Sequence, residues 1–455
     1  MQNLLHSWKF FAVEHCADFM TDREVQKSMA LVVQSSLMAN TRSVPQEAIF
    51  ERIQQTRVDF AQALLQRLVE IGAKGAEVFG LLRVVWDTLR TRRASYEDAL
   101  VNEDTEYYRS LLNVVFLALQ FHLDGPTRAA PETLNKKAEI SSDLTLVVEI
   151  TKNVVAQGFK ALTTYLHDQP QKCTPKDFAI LIAIMQSCLQ VKHADRLYEH
   201  IVFHIEDNDT ARYATSLFSW ADQLAVAGDP IYGELSISFL VKLSTIPMLA
   251  EHFAVETVLM RLSTCRLTNI LRQPKGFGPF DPIPRLYSIW TGGILPLCLN
   301  LLYHVIRTAP EVAAFLNQFE GQLNRAAESF SAGRATATSG PAVRRICLSM
   351  TSEVYSLALI TFILDRFREA GASAGVDASS IQELKFDKGQ VKEDIEELLE
   401  RKQTLRARIV ATSDKEVEMA RQKPVDVASG AENRLEEKIV NELRAALVCL
   451  GSEEA

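Results

Sequence analysis

The chain has 455 residues, 47% of them hydrophobic, 23% charged and 8% aromatic, with only 19 Gly and 15 Pro. Glycine and proline this scarce exclude collagen-like and low-complexity disordered classes, and so large an apolar share provides for a sizeable core. A net charge of -8 runs against a dedicated nucleic-acid binder, which needs a basic excess to neutralise phosphates.

The first residues, MQNLLHSWKFFAVEHC, carry one Lys and no sustained apolar run, so no signal peptide is expected. A helical pattern begins almost at once, as in a piece of a longer protein. Over residues 45–71, Ile49, Ile53, Phe60, Leu64, Leu68 and Ile71 recur at helical spacing and stack on one face. Gly72 and Gly75 punctuate the chain before a second helix, from about Ala76 to Arg93. Leu111–Leu123 and Phe178–Val191 are apolar nearly all round, so both are expected deep between neighbours. The 21 residues Leu286–Ile306 hold no Asp, Glu, Lys or Arg, which meets the length of a bilayer span. Ser288, Thr291, Gly292, Gly293, Pro296, Asn300 and His304 weigh against a span and favour a buried solenoid helix.

Period-two alternation is absent, so the expected class is all-α, with roughly 14 to 17 helices. Amphipathic helices alternating with near-continuously apolar ones are what stacked HEAT- or armadillo-like pairs produce, in units of about 40–47 residues. No self-similar register appears at that period, so the pairs are divergent; an irregular helical bundle is the alternative. Four interruptions divide the array: Asp124–Ile140, the Pro/Gly turn Gln273–Pro284, and the small-residue stretches Ser331–Pro341 and Gly371–Ser380.

The composition then changes. Residues 387–455 hold 12 Lys/Arg and 16 Asp/Glu among 69 residues. Val391, Ile395, Leu398, Leu405 and Ile409 follow a heptad-like spacing with Lys402 at one core position, and Leu435, Ile439, Leu443, Leu447 and Leu450 form a second stripe. Lys423–Gly430 reads as a break between them. The expected organisation is an α-solenoid over 1–370, a flexible linker over 371–386 and a charged amphipathic helical tail over 387–455. The tail either folds back on the solenoid or offers its stripe to another chain.

No catalytic signature stands out. Phosphate-loop, nucleophile-elbow and HExxH patterns are absent, and Gly276-Phe277-Gly278 lacks the third glycine of a dinucleotide fingerprint. His200 and His204 share a helix face with His193 nearby, and Glu199, Glu206 and Asp207 are close, yet no remote Cys/His pair completes a zinc site. Arg83, Arg90, Arg92 and Arg93 form the densest basic cluster, read as a charged helix end. The seven cysteines are scattered without a CxxC pair, which suits a reducing compartment. No catalytic residue, metal site or cofactor is expected.

The stretch QPKGFGPFDPIPRLYSIWTGGILPLCLNLLYHVIR, residues 273–307, resembles the C-terminal region of the nucleoporin 188 family, large α-helical scaffold proteins of the nuclear pore inner ring. The resemblance implies the C-terminal part of a larger solenoid, karyopherin-like in shape, located at the nuclear pore complex. It also implies a protein partner, a linker nucleoporin bound through a short amphipathic helix, without nucleic acid, small-molecule substrate or membrane span. Only Phe79-Gly80 and Phe277-Gly278 carry the Phe-Gly pair of barrier nucleoporins, so scaffold is expected rather than barrier. The residues expected to take the partner helix are Val391, Ile395, Leu398, Leu405, Leu435, Ile439, Leu443 and Leu447. A transport receptor or cytosolic HEAT-type adaptor would share this architecture.

Overall fold

A computed structural model describes residues 5, 7, 9–10, 21–42, 48–72, 81–92, 95–123, 142–191, 194–331, 345–371, 377–426 and 430–451. The interruptions at 124–140 and 332–341, together with His193 and Phe79-Gly80, lie outside them. Among the described residues there are twenty-three α-helices and no strand, only two isolated bridges. The excess over the expected number comes from short helices at tight corners. Val258–Ser263 and Arg266–Leu271, for instance, follow a left-handed Thr257 (φ 49°).

The chain forms two compact units, Met1–Ala214 and Thr215–Ala455, a different grouping from a solenoid over 1–370 with a separate tail. In the first, α1 (Arg23–Met38), α2 (Ala48–Glu70), α3 (Leu81–Arg92), α4 (Tyr96–Val101) and α5 (Thr105–Leu123) lead to α6 (Ser142–Ile150). A π-helical turn, Thr151–Ala156, joins α6 to α7 (Gln157–Asp168), and α8 (Pro175–Gln190) and α9 (Tyr198–Asp207) follow; the division falls within α10 (Thr210–Trp220). Each helix packs on its predecessors in the manner of an α-solenoid: α1 on α2 and α3, α2 and α3 on α5, α5 on α8. The two all-round apolar segments sit where their composition requires, with Leu111, Leu112, Val115, Leu119, Phe178, Leu181 and Ile184 fully or almost fully buried. A capping box between Thr174 and Asp177 starts α8, and Arg109 of α5 donates to both Asp177 oxygens at 2.7 and 3.1 Å, joining the two helices.

The second unit runs through α11 (Ile231–Leu243), α12 (Pro247–Val255), α13 (Val258–Ser263), α14 (Arg266–Leu271), α15 (Pro284–Ile289), a π-helical turn (Trp290–Ile294) and α16 (Leu295–His304). Then come α17 (Ala309–Leu316), α18 (Glu320–Ala327), α19 (Leu348–Ala370), α20 (Lys388–Glu400), α21 (Lys402–Arg408), α22 (Asp414–Arg421) and α23 (Arg434–Cys449). Among the described residues, two single stretches are long and apolar enough to cross a membrane by length and composition, Pro284–His304 and Leu348–Ala370, and 61% and 56% of their apolar windows are buried inside the protein. The first is held by α11, α12 and α19. The second contains Glu353, fully buried and ion-paired.

The expected linker 371–386 is packed over its second half. Ile381, Leu384 and Phe386 are buried, and the Asn317 amide donates to Glu383 O and accepts from Lys385 N, each at 2.9 Å.

Candidate interaction surface

The charged tail folds back. Val391, Ile395, Leu398, Leu405, Leu435, Ile439, Leu443 and Leu447 are each 5% exposed or less. α23 lies against α19, α20 and α22, and the hydroxyls of Thr351 and Ser352 on α19 donate to Glu442 at 2.7 and 2.8 Å. Arg406 donates to Glu436, and the Val425 and Asp426 N–H groups donate to Glu437, holding its carboxyl below the usual carboxylate range. The main chain joins in: Ile346 N donates to Arg408 O and Val410 N to Ile346 O, both at 2.8 Å. As a stripe open to a partner helix, those eight residues are therefore corrected. Their apolar face is spent inside the unit because α19 presents an apolar face of its own, and covering one with the other removes both from water. Nor is the seam continuous, since the helix breaks at Arg401 and Lys402 is exposed.

The Pro/Gly turn before α15 carries the more distinctive surface. Gly276 has φ +63°, and a Cβ there would lie 2.8 Å from Gly321 O; one on Gly321 would lie 2.2 Å from Gln273 O. Two main chains thus touch where only glycine permits it. Gln322 secures the contact: its Oε1 accepts from Phe277 N at 2.7 Å and its Nε2 donates to Phe277 O at 3.0 Å. The same Nε2 donates at 2.8 Å to Glu353 Oε1, which also accepts from Trp290 Nε1 at 2.7 Å, while Glu353 Oε2 accepts from the Tyr287 hydroxyl at 2.7 Å and pairs with Arg325. Burial, and then the Glu353 charge, push the Tyr287 hydroxyl well above its ordinary value, so it stays a donor. One carboxylate so ties the turn, α15, the π-helical turn and α18 to α19. Sequence reasoning missed Glu353, although a lone acid within the apolar run LSMTSEVYSLAL was the available signal.

Over this network lies a depression of about 530 Å³ lined by the turn, Arg325 and Met350. Phe280 and Ile283 are 44% and 37% exposed at its edge.

The remaining candidates stay apart. His200 is exposed and His204 half-buried, with a pKa lowered by burial and then by Lys152. No group of three metal-ligating side chains occurs among the described residues. Arg83 approaches Asp87 and Arg90 approaches Glu149, each at 3.9 Å, so these charges are answered by acids; Arg93 lies outside the described residues.

Residues 81–450 match the family described as the nuclear pore protein NUP188 C-terminal domain. The chain belongs to that family. NUP188 of Chaetomium thermophilum is 33% identical over 96% of the chain, and nup184 of Schizosaccharomyces pombe is 26% identical over 49%. The chain spans about a quarter of the Chaetomium protein's length and 13% of the Schizosaccharomyces one. A solved fragment of Nup188 from Myceliophthora thermophila has the same fold, with a TM-score of 0.67 at 33% identity, covering 82% of this chain and 97% of that one. The similarity read in residues 273–307 is borne out, and the location that goes with these nucleoporin relatives is the nuclear pore complex. The NUP188 match includes both the Pro/Gly turn and α23, so the helix covering α19 lies inside the domain.

Proposed function

We propose that the chain is a non-enzymatic scaffold part of the nuclear pore inner ring that supports nucleocytoplasmic transport and holds a short amphipathic helix of a linker nucleoporin. Membership in the NUP188 C-terminal family carries the reading. Stacked helices support it, because a solenoid offers long grooves in which a partner helix lays its apolar face. The linker helix docks away from the Val391–Leu447 residues, whose apolar side chains are already covered.

Photobleaching of the fluorescently tagged parent protein in living cells tests this reading. A scaffold gives a nuclear-rim signal that recovers over hours; recovery within seconds would replace it with a transport receptor of similar architecture.

A further inference from the structure

The Pro/Gly turn is rigid and apolar at once. Gly276 is wedged on Gly321, Gln322 holds Phe277 by both main-chain groups, and the Gly278 N–H donates to Asp281 at 2.7 Å. A turn fixed this way keeps Phe280 and Ile283 partly in water beside Pro279 and Pro282. Holding apolar groups in water is unfavourable, whereas a pre-ordered surface loses little entropy when a ligand covers it. The charges at its edge favour one sign. Lys275 lines the depression, the Arg345 guanidinium stands 5.8 Å from the Phe280 ring centroid, and neither is ion-paired to a described residue. Asp281 also lines the depression and offsets one of these charges while accepting from the Gly278 N–H, and the Arg325 charge is met by Glu353. In a chain of net charge -8, the depression therefore has an apolar wall and a local excess of one positive charge, Lys275 and Arg345 against Asp281.

We infer that this depression, lined by Lys275, Gly278, Phe280, Ile283 and Met350 with Arg345 beside Phe280, docks a partner segment that joins an aromatic or aliphatic anchor to flanking Asp or Glu. The apolar anchor covers Phe280 and Ile283, and the acids face Lys275 and Arg345. The inference rests on the partner-binding reading above and gives it a place and a chemistry. Gly278 supplies the means of blocking it. Its φ is not in the left-handed region, and an added Cβ meets only Arg325 Nη1 at 3.5 Å and Asp281 Oδ2 at 4.0 Å, so a side chain there fills the depression without straining the turn.

The test selects random dodecapeptides displayed on phage against the intact chain and measures the best ones by fluorescence anisotropy. Acidic peptides with a Phe, Trp or Leu anchor are expected, with affinity lowered about tenfold by Gly278→Leu or Phe280→Ala and by the Lys275→Glu, Arg345→Glu pair. Unchanged melting of each variant establishes that it folds, and the exposed Phe280→Ala stands in if Gly278→Leu does not. Basic peptides, no peptides, or binding indifferent to all three variants overturn the inference. Hours-long residence at the nuclear rim together with such a negative result refutes the docking surface alone. Acidic-peptide binding with recovery in seconds refutes the scaffold reading instead.

Discussion

Gln322 holds Phe277 by both of its main-chain polar groups, at 2.7 and 3.0 Å, and spends its remaining amide hydrogen on Glu353 at 2.8 Å. The shape of a surface turn is thereby set by a carboxylate in the core. A change at Glu353 reaches Phe277 through one intervening side chain.

Replacing Glu353 by Leu is expected to destabilise the second unit by about 3–5 kcal/mol, because it leaves Arg325 uncompensated and the Trp290 and Tyr287 donors unmatched. Urea unfolding followed by tryptophan fluorescence measures this, Trp290 itself being part of the network. A loss under 1 kcal/mol would mean that the buried carboxylate is not the tie described.

The adjacent glycines of the π-helical turn separate two effects. A Cβ on Gly293 would stand 2.4 Å from Ile237 Cγ2, whereas one on Gly292 meets nothing within 4 Å. Gly293→Ala should cost about 1–3 kcal/mol, partly recovered by Ile237→Ala, which removes both γ carbons that the new Cβ would meet, while Gly292→Ala should be neutral or stabilising by a few tenths. A double-mutant cycle on thermal midpoints decides it, and equal effects at the two glycines would count against the close helix contact.

Leu443 is fully buried where α23 meets α19. Leu443→Ala is expected to cost about 2–5 kcal/mol, and Ile439→Asp to release α23 from the unit. Hydrogen exchange over residues 348–370 and 434–449 reports this. Wild-type protection in the Asp variant would restore the open-stripe reading of the tail.

Cys188 gives a pH dependence. Burial is the larger cause, opposed by a Thr151 hydrogen bond, and the thiol is pushed from its ordinary 9.0 up to about 12. Between those values the unfolded chain has released the proton and the folded one retains it, so unfolding is favoured as pH rises. The contribution is fully present below pH 9 and is lost as pH climbs towards 12, with a loss on the order of 1 kcal/mol between pH 8 and pH 10. Stability of Cys188→Ala should fall correspondingly less over that interval, and equal slopes would remove the thiol as a cause.

The sequence discloses the elements better than their destinations. Leu64 and Leu68 on α2, and the all-round apolar α5 and α8, are buried as their spacing requires, since periodicity reports directly which faces leave water. Ile49, on the same predicted stripe, is 61% exposed, because a helix end can outrun its neighbours. The Leu435–Leu447 stripe reads identically whether it packs on its own chain or on another; only the matching face of α19, more than sixty residues away in sequence, separates the two. The Glu353 network escaped for the same reason, its donors coming from Tyr287, Trp290, Gln322 and Arg325 on separate elements. The Pro/Gly turn could be placed from its prolines, but its rigidity resides in the contact between Gly276 and Gly321.

Because α23 covers α19, a premature stop between Ala370 and Arg434 does more than shorten the protein. It bares a 23-residue helix long and apolar enough to cross a bilayer. Quality-control machinery that surveys nascent chains for greasy helices would meet one in the wrong place. Nonsense alleles falling between the codons of Ala370 and Arg434 should then behave as degradation alleles, with protein level falling while message persists.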